Sequence, residues 1–192
     1  MSVYKILMIS SLTTLTILMS GFVSAKDALS ELSKGAIVYN LLNLHADPTR
    51  HTLSSVNYQL EGLIPRCTAL EITDAGKKRL KFKIKESGIE YSYDFHAKST
   101  PGEFDNHLAK VFAAKCNTAL SKNLNNADQA GIKTGLAKKG MSKNGVLLAL
   151  GYPPEHITPD PKTADQWTYW KNKFNRFIVH FNSKGIVENV QQ

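Results

Sequence analysis

Gly140-Met141-Ser142-Lys143-Asn144-Gly145-Val146-Leu147-Leu148-Ala149-Leu150-Gly151-Tyr152-Pro153-Pro154, followed after a loop by Trp167-Thr168-Tyr169-Trp170, decides how the C-terminal third of the chain is read. Ser142 can accept a hydrogen bond from the first-turn amides that a helix leaves without partners, so it predicts an N-cap. Val146, Leu147 and Leu150 recur at helical spacing and form one apolar face. Gly151 can take the left-handed conformation at the helix end, and Pro153-Pro154 forbids continuation. In the aromatic run, Trp167 and Tyr169 fall on one side of a strand and Trp170 on the other. Upstream, residues 128–137 predict a short helix ending near Gly140. Downstream, residues 152–161 form a Pro-rich loop, and 166–171, 176–181 and 186–190 predict three strands. Asn182-Ser183-Lys184-Gly185 supplies the last hairpin turn, with Gly185 available for positive φ. Residues 127–192 therefore read as two helices followed by a three-stranded antiparallel sheet.

The succession Gly140-Met141-Ser142, Val146, Leu150-Gly151-x-Pro153 and Trp167-x-Tyr169 resembles the SmpA/OmlA domain family, whose BamE-like members belong to the outer-membrane β-barrel assembly machinery. The resemblance implies an ααβββ domain in a non-enzymatic envelope protein. Such a protein supports outer-membrane assembly or envelope integrity by contacting protein partners and sometimes anionic lipid. These residues mark the fold more than a binding surface. The same arrangement also resembles β-lactamase-inhibitor modules, which implies the alternative of a secreted binding or inhibitor protein acting on an extracellular target.

Residues 34–116 read as a separate, β-rich and barrel-like module with a covering helix, joined through a polar stretch at 117–126. The fold class is therefore α+β. Leu80-Lys81-Phe82-Lys83-Ile84-Lys85 alternates strictly, with apolar residues inward and lysines outward, and Tyr91, Tyr93 and Phe95 share one strand face. Its strand rhythm and Gly62-Leu63-Ile64-Pro65 resemble bacterial SH3-like modules. Thr100-Pro101-Gly102-Glu103 fits a capping box, with Thr100 as N-cap, Pro101 at the first helical position and Glu103 reaching back. Phe104, Leu108, Val111 and Phe112 then form one apolar stripe over the sheet.

Residues 1–25 carry one charge, Lys5, then an apolar run ending in Val23-Ser24-Ala25, which reads as a secretory signal peptide cut after Ala25. An uncleaved anchor is the competing reading. No cysteine lies near the cut, so there is no lipidation cysteine, a departure from the assembly-machinery lipoproteins. The expected location is the periplasm or outer-membrane periphery, or the medium. Removing residues 1–25 takes the net charge from +8 to +7. For an exported chain this suggests anionic lipid or a cell-wall polymer as partner and argues against nucleic acid, and solubility alone would also account for it. Cys67 and Cys116, the only cysteines, suggest a disulfide in an oxidising compartment, with free thiols or a metal site as the other readings. The six histidines show no ligand spacing with either cysteine.

No Gly-x-Ser-x-Gly elbow, His-Glu-x-x-His pair, phosphate-binding glycine loop or Cys-x-x-Cys occurs. The expectation is no enzyme, no cofactor and no metal. Two surfaces stand out instead. Lys77, Lys78, Arg79, Lys81, Lys83 and Lys85 form a candidate anion-binding patch, or else a solvated strand face whose lysines discourage edge pairing. Tyr152, Trp170, Phe174 and His180 form a candidate aromatic surface for a partner, carried on the hairpin loop Lys171-Asn172-Lys173-Phe174-Asn175. Trp167 and Tyr169 are expected in the core.

Overall fold

Strict alternation along Leu80 to Lys85 produces the centre of the larger sheet. In the computed structural model, which describes residues 32–192, Leu80 and Phe82 are fully buried and Ile84 packs on the same core. The expected signal peptide, 1–25, lies outside the described residues. The elements of the N-terminal half are β1 (Ile37–Asn40), β2 (Leu44–Ala46), β3 (Thr52–Ser54), β4 (Gly62–Ile64), β5 (Ala69–Ala75), β6 (Arg79–Ile84), β7 (Glu90–Asp94), α1 (Phe104–Val111) and β8 (Phe112–Ala113). A 3-10 turn spans Thr118–Ser121. The C-terminal half contains α2 (Asn126–Thr134), α3 (Lys143–Leu150), β9 (Gln166–Trp170), β10 (Arg176–Phe181) and β11 (Val187–Gln191). The class is α+β.

Six strands form one sheet in the order β3-β7-β6-β5-β1-β8, antiparallel except for the parallel β3–β7 pair. β2 and β4 pair separately. α1 covers the large sheet with Phe104, Leu108 and Val111, all buried. This helix starts later than its capping-box pattern predicts. Its N-cap is Glu103, without a side-chain bond. The Thr100 hydroxyl is buried against Ser55 Oγ at 2.9 Å, and Gly102 at φ +95° breaks the helical path. Phe112, the last member of the apolar stripe, leaves the helix and begins β8.

Cys67 and Cys116 are joined by a disulfide. It anchors the chain beyond β8 to the β4–β5 connection, where Arg66 also donates to Ser121 Oγ (2.5 Å) and Asn117 O (3.0 Å). Closing a loop of about 50 residues contributes roughly 4 kcal/mol on the chain-entropy model.

In the C-terminal half, β9, β10 and β11 form an antiparallel sheet in the order β11-β10-β9. Met141, Val146, Ala149 and Leu150 meet the inner face formed by Trp167, Tyr169, Phe177, Val179, Phe181 and Val187. Ser142 caps α3 by accepting from Gly145 N–H at 3.0 Å. Gly151 does adopt a positive φ (+81°), but its ψ of −174° takes the chain out extended rather than left-handed helical. The left-handed cap is found instead at Gly135, after α2.

Candidate functional site

Met141 and Ser142 meet α2 at one buried joint between α2 and α3. Asp128, fully buried, accepts from Ser142 N–H (2.7 Å), Ser142 Oγ (3.0 Å) and Asn125 N–H (3.1 Å). Asn125 Oδ1 in turn accepts from Asp128 N–H, completing a reciprocal capping box. A Cβ on Gly145 would stand 1.9 Å from Asp128 Oδ1, and one on Gly131 would stand 2.2 Å from Met141 Sδ. Glycine at both positions is thus set by close packing. Gly140 holds φ +89° and donates its N–H to Val187 O. Trp167 and Tyr169 are buried, their polar tips bonded to Pro161 O and Gly151 O, both at 2.9 Å. Pro153 is buried in the turn after α3. Asp128 is the member that sequence reading missed, although Asn125-x-x-Asp128 is a capping-box signal.

Cross-strand register determines the neighbours of the lysine patch. Lys83 lies between Glu71 on β5 and Glu90 on β7, and Lys81 between Asp74 and Ser92. Arg79 is bonded to Asp94, and Lys85 lies 3.6 Å from Glu71. Lys77 and Lys78 are exposed in the β5–β6 turn. The face is therefore a ladder of alternating charge, crossed by a groove of about 570 Å³ that Lys34, Glu71, Asp74, Lys81 and Glu90 help to line. Exposed pairs of this kind contribute only about 0–1 kcal/mol each.

The aromatic candidates are dispersed. Trp170 and His180 point to the outer face of the C-terminal sheet, but Trp170 pairs with Arg176 and His180 with Gln166, at opposite ends of the β9–β10 ladder. The Arg176 guanidinium lies 5.3 Å from the Trp170 ring centroid. Tyr152 stands beside Lys110 of α1. Phe174 is 87% exposed at the tip of the β9–β10 hairpin. The tip is fixed by Asn172 Oδ1, which accepts from Phe174 N–H (2.9 Å) and Asn175 N–H (3.0 Å), and by Lys171 N–H donating to Asn175 O (2.8 Å). Lys171, Lys173 and Arg176 flank it in sequence, and residues 166–181 contain no carboxylate.

A second joint, invisible in the sequence, binds the two halves. The last carbonyls of a helix lack intrahelical donors. In α3 they are met by the N-terminal half: Leu148 O accepts from Asn43 N–H (2.9 Å), Ala149 O from His45 Nε2 (3.1 Å) and Leu150 O from Asn57 Nδ2 (2.6 Å). Asn43 Nδ2 donates to Ile132 O of α2 at 2.7 Å, and His45 N–H to Asn57 Oδ1 at 3.1 Å. Gln59 N–H donates to Trp170 O at 2.9 Å. Asn43, His45 and Asn57 are all buried. Gly135 and Gly151 allow the close approach, since a Cβ on either would come within 2.8 Å of His45 or Asn57 atoms.

Burial dominates the titration of the interior groups. It pushes His45 below its ordinary range, opposed by the Ala149 and Leu60 backbone. His107, whose Nε2 lies 2.6 Å from the Tyr93 hydroxyl, is lowered to about 4 by burial and then by Lys110. Burial also raises the Tyr93 phenol. Among the described residues, no group of three or more His, Cys, Asp or Glu is arranged to hold a metal ion. No helix among them is long and apolar enough to cross a membrane.

Comparison with known proteins finds no matching family model, no matching curated protein and no matching solved structure.

Proposed function

We propose that this is an exported, non-enzymatic envelope protein whose C-terminal half is an SmpA/OmlA (BamE-like) domain. It supports outer-membrane assembly or envelope integrity by contacting a protein partner. The N-terminal half, short strands over one apolar core closed by α1, is in this reading its barrel-like companion module. The helix-helix-sheet order and the joint made by Gly140-Met141-Ser142 with Asp128 support the domain assignment. The disulfide fits an oxidising compartment.

The observation that carries the contact surface is Phe174. A large apolar ring held 87% exposed by a hydrogen-bonded turn, next to Trp170 and Arg176, has the composition of a binding anchor. The test is Phe174→Ser at the native locus, with protein level and sensitivity to bulky antibiotics measured. Raised sensitivity at unchanged protein level supports the reading. An envelope that stays intact even when the whole gene is deleted overturns it and favours the secreted binding or inhibitor protein.

A further inference from the structure

We propose that Asn43, His45 and Asn57 form a latch between the two halves that acid releases, the His45 imidazole being the group that takes up the proton. The latch is the set of bonds by which the N-terminal half caps α3, and His45 is its central member. A neutral imidazole has one N–H to donate, and Ala149 O takes it. A second proton places a full charge in a buried site, and such a charge is tolerated only when it is paired. The ring lies against Gly135 after α2 and bonds Ala149 O of α3, Leu60 of the 55–60 connection faces it through its backbone, and Leu63 of β4 stands opposite His45 in register. The ionisable residues on those elements are Asp128 and Lys133 of α2, Lys143 at the far end of α3, and Tyr58 and Glu61 in the connection, with Asp47 following β2 itself. None of them figures among the causes of the shift at His45, which are burial and the two backbone groups. Burial outweighs the carbonyls, so the closed seam holds the neutral ring.

Opening the seam lets water reach the imidazolium and also the carbonyls of Leu148, Ala149 and Leu150. Neither side is then left with buried unpaired groups. The disulfide and the sheet hydrogen bonds of each half take no part in this, so each half keeps its fold while the bonds between them, including Lys110 to Glu155 and Gln59 Nε2 to Gly135 O, give way.

Amide hydrogen exchange on the full chain reads this directly, because the Asn43 and Gln59 N–H groups cross the seam to Leu148 O and Trp170 O. With intrinsic rates corrected, their protection should fall by about tenfold or more between about pH 7.5 and pH 5, while amides of β5 and β6 keep theirs. His45→Gln, whose amide can still donate to Ala149 O but does not titrate, should abolish the fall, and His107→Gln should not. Constant seam protection in the wild type overturns the proposal. So does loss in step with β5 and β6, an unchanged fall in His45→Gln, or its disappearance in His107→Gln. If His45→Gln does not fold, the wild-type imidazole titration followed by NMR decides. A midpoint matching the loss of seam protection supports the latch, and a midpoint elsewhere overturns it.

Discussion

Asn57→Gly should destabilise the half of the protein in which Asn57 does not lie. Asn57 sits at φ +49°, so alanine would add left-handed strain, and glycine isolates the side chain. Its Nδ2 is the donor to Leu150 O at 2.6 Å, and its Oδ1 is the acceptor for His45 N–H at 3.1 Å. Removing the amide orphans the Leu150 carbonyl in the C-terminal half and, in its own half, the His45 N–H and the Asn43 carbonyl, to which Nδ2 also donates at 3.5 Å. Only the Leu150 carbonyl belongs to the C-terminal half, so at roughly 1–3 kcal/mol for an unsatisfied group the loss there comes to about 1–3 kcal/mol. Trp167 and Trp170, the only tryptophans, both lie in β9. Fluorescence during urea unfolding therefore reports on the C-terminal half alone. With a slope near 2 kcal/mol/M, a loss of about 2 kcal/mol lowers the midpoint by about 1 M. A fluorescence midpoint moved by less than about 0.3 M, a loss of about 0.6 kcal/mol on that slope, would refute the claim that the N-terminal half caps α3.

Gly145→Ala drives a methyl group into the Asp128 carboxylate and should cost about 1–3 kcal/mol, visible as a lowered thermal midpoint. Trp167→Ala empties the core under α3 and should cost about 3–5 kcal/mol, checked by chemical denaturation; a mutant as stable as the wild type contradicts its core role. His107 is lowered to about 4 from 6.5, so the unfolded chain binds its proton first. Its contribution to stability is complete above about pH 6.5 and is lost as pH falls towards 4, by up to about 3 kcal/mol. Stability measured against pH should be flatter over that window in His107→Gln, whose carbonyl can still accept from Tyr93. Replacing Cys67 and Cys116 together by serine should remove about 4 kcal/mol, measured against the oxidised parent.

What the sequence made legible was local. The Ser142 cap, the Gly151 stop and the period-2 aromatics of β9 are written in neighbouring residues, and the C-terminal strands follow closely from them. The start of α1 was misread because the Thr100 hydroxyl that looks like a cap is taken by Ser55, 45 residues earlier. The charge ladder was likewise hidden. Lys81, Lys83 and Lys85 read as a basic face until register brings Glu71, Asp74 and Glu90 alongside. Nothing in the local pattern marks Asn43, His45 and Asn57, since the partners of Asn57 and His45 lie 93 to 104 residues away. Backbone carbonyls carry no sequence signature, so no pattern announces a side chain that caps a distant helix.

The central claim, that the β9–β10 hairpin tip is the protein's contact surface in the envelope, is tested most directly by photocrosslinking in cells. A photoreactive residue replaces Phe174, with the same probe at Lys77 as the comparison. The account predicts adducts with outer-membrane assembly components from position 174 and none of these from position 77. Mature protein recovered uncrosslinked in the culture medium, or the same adducts from both positions, would contradict it.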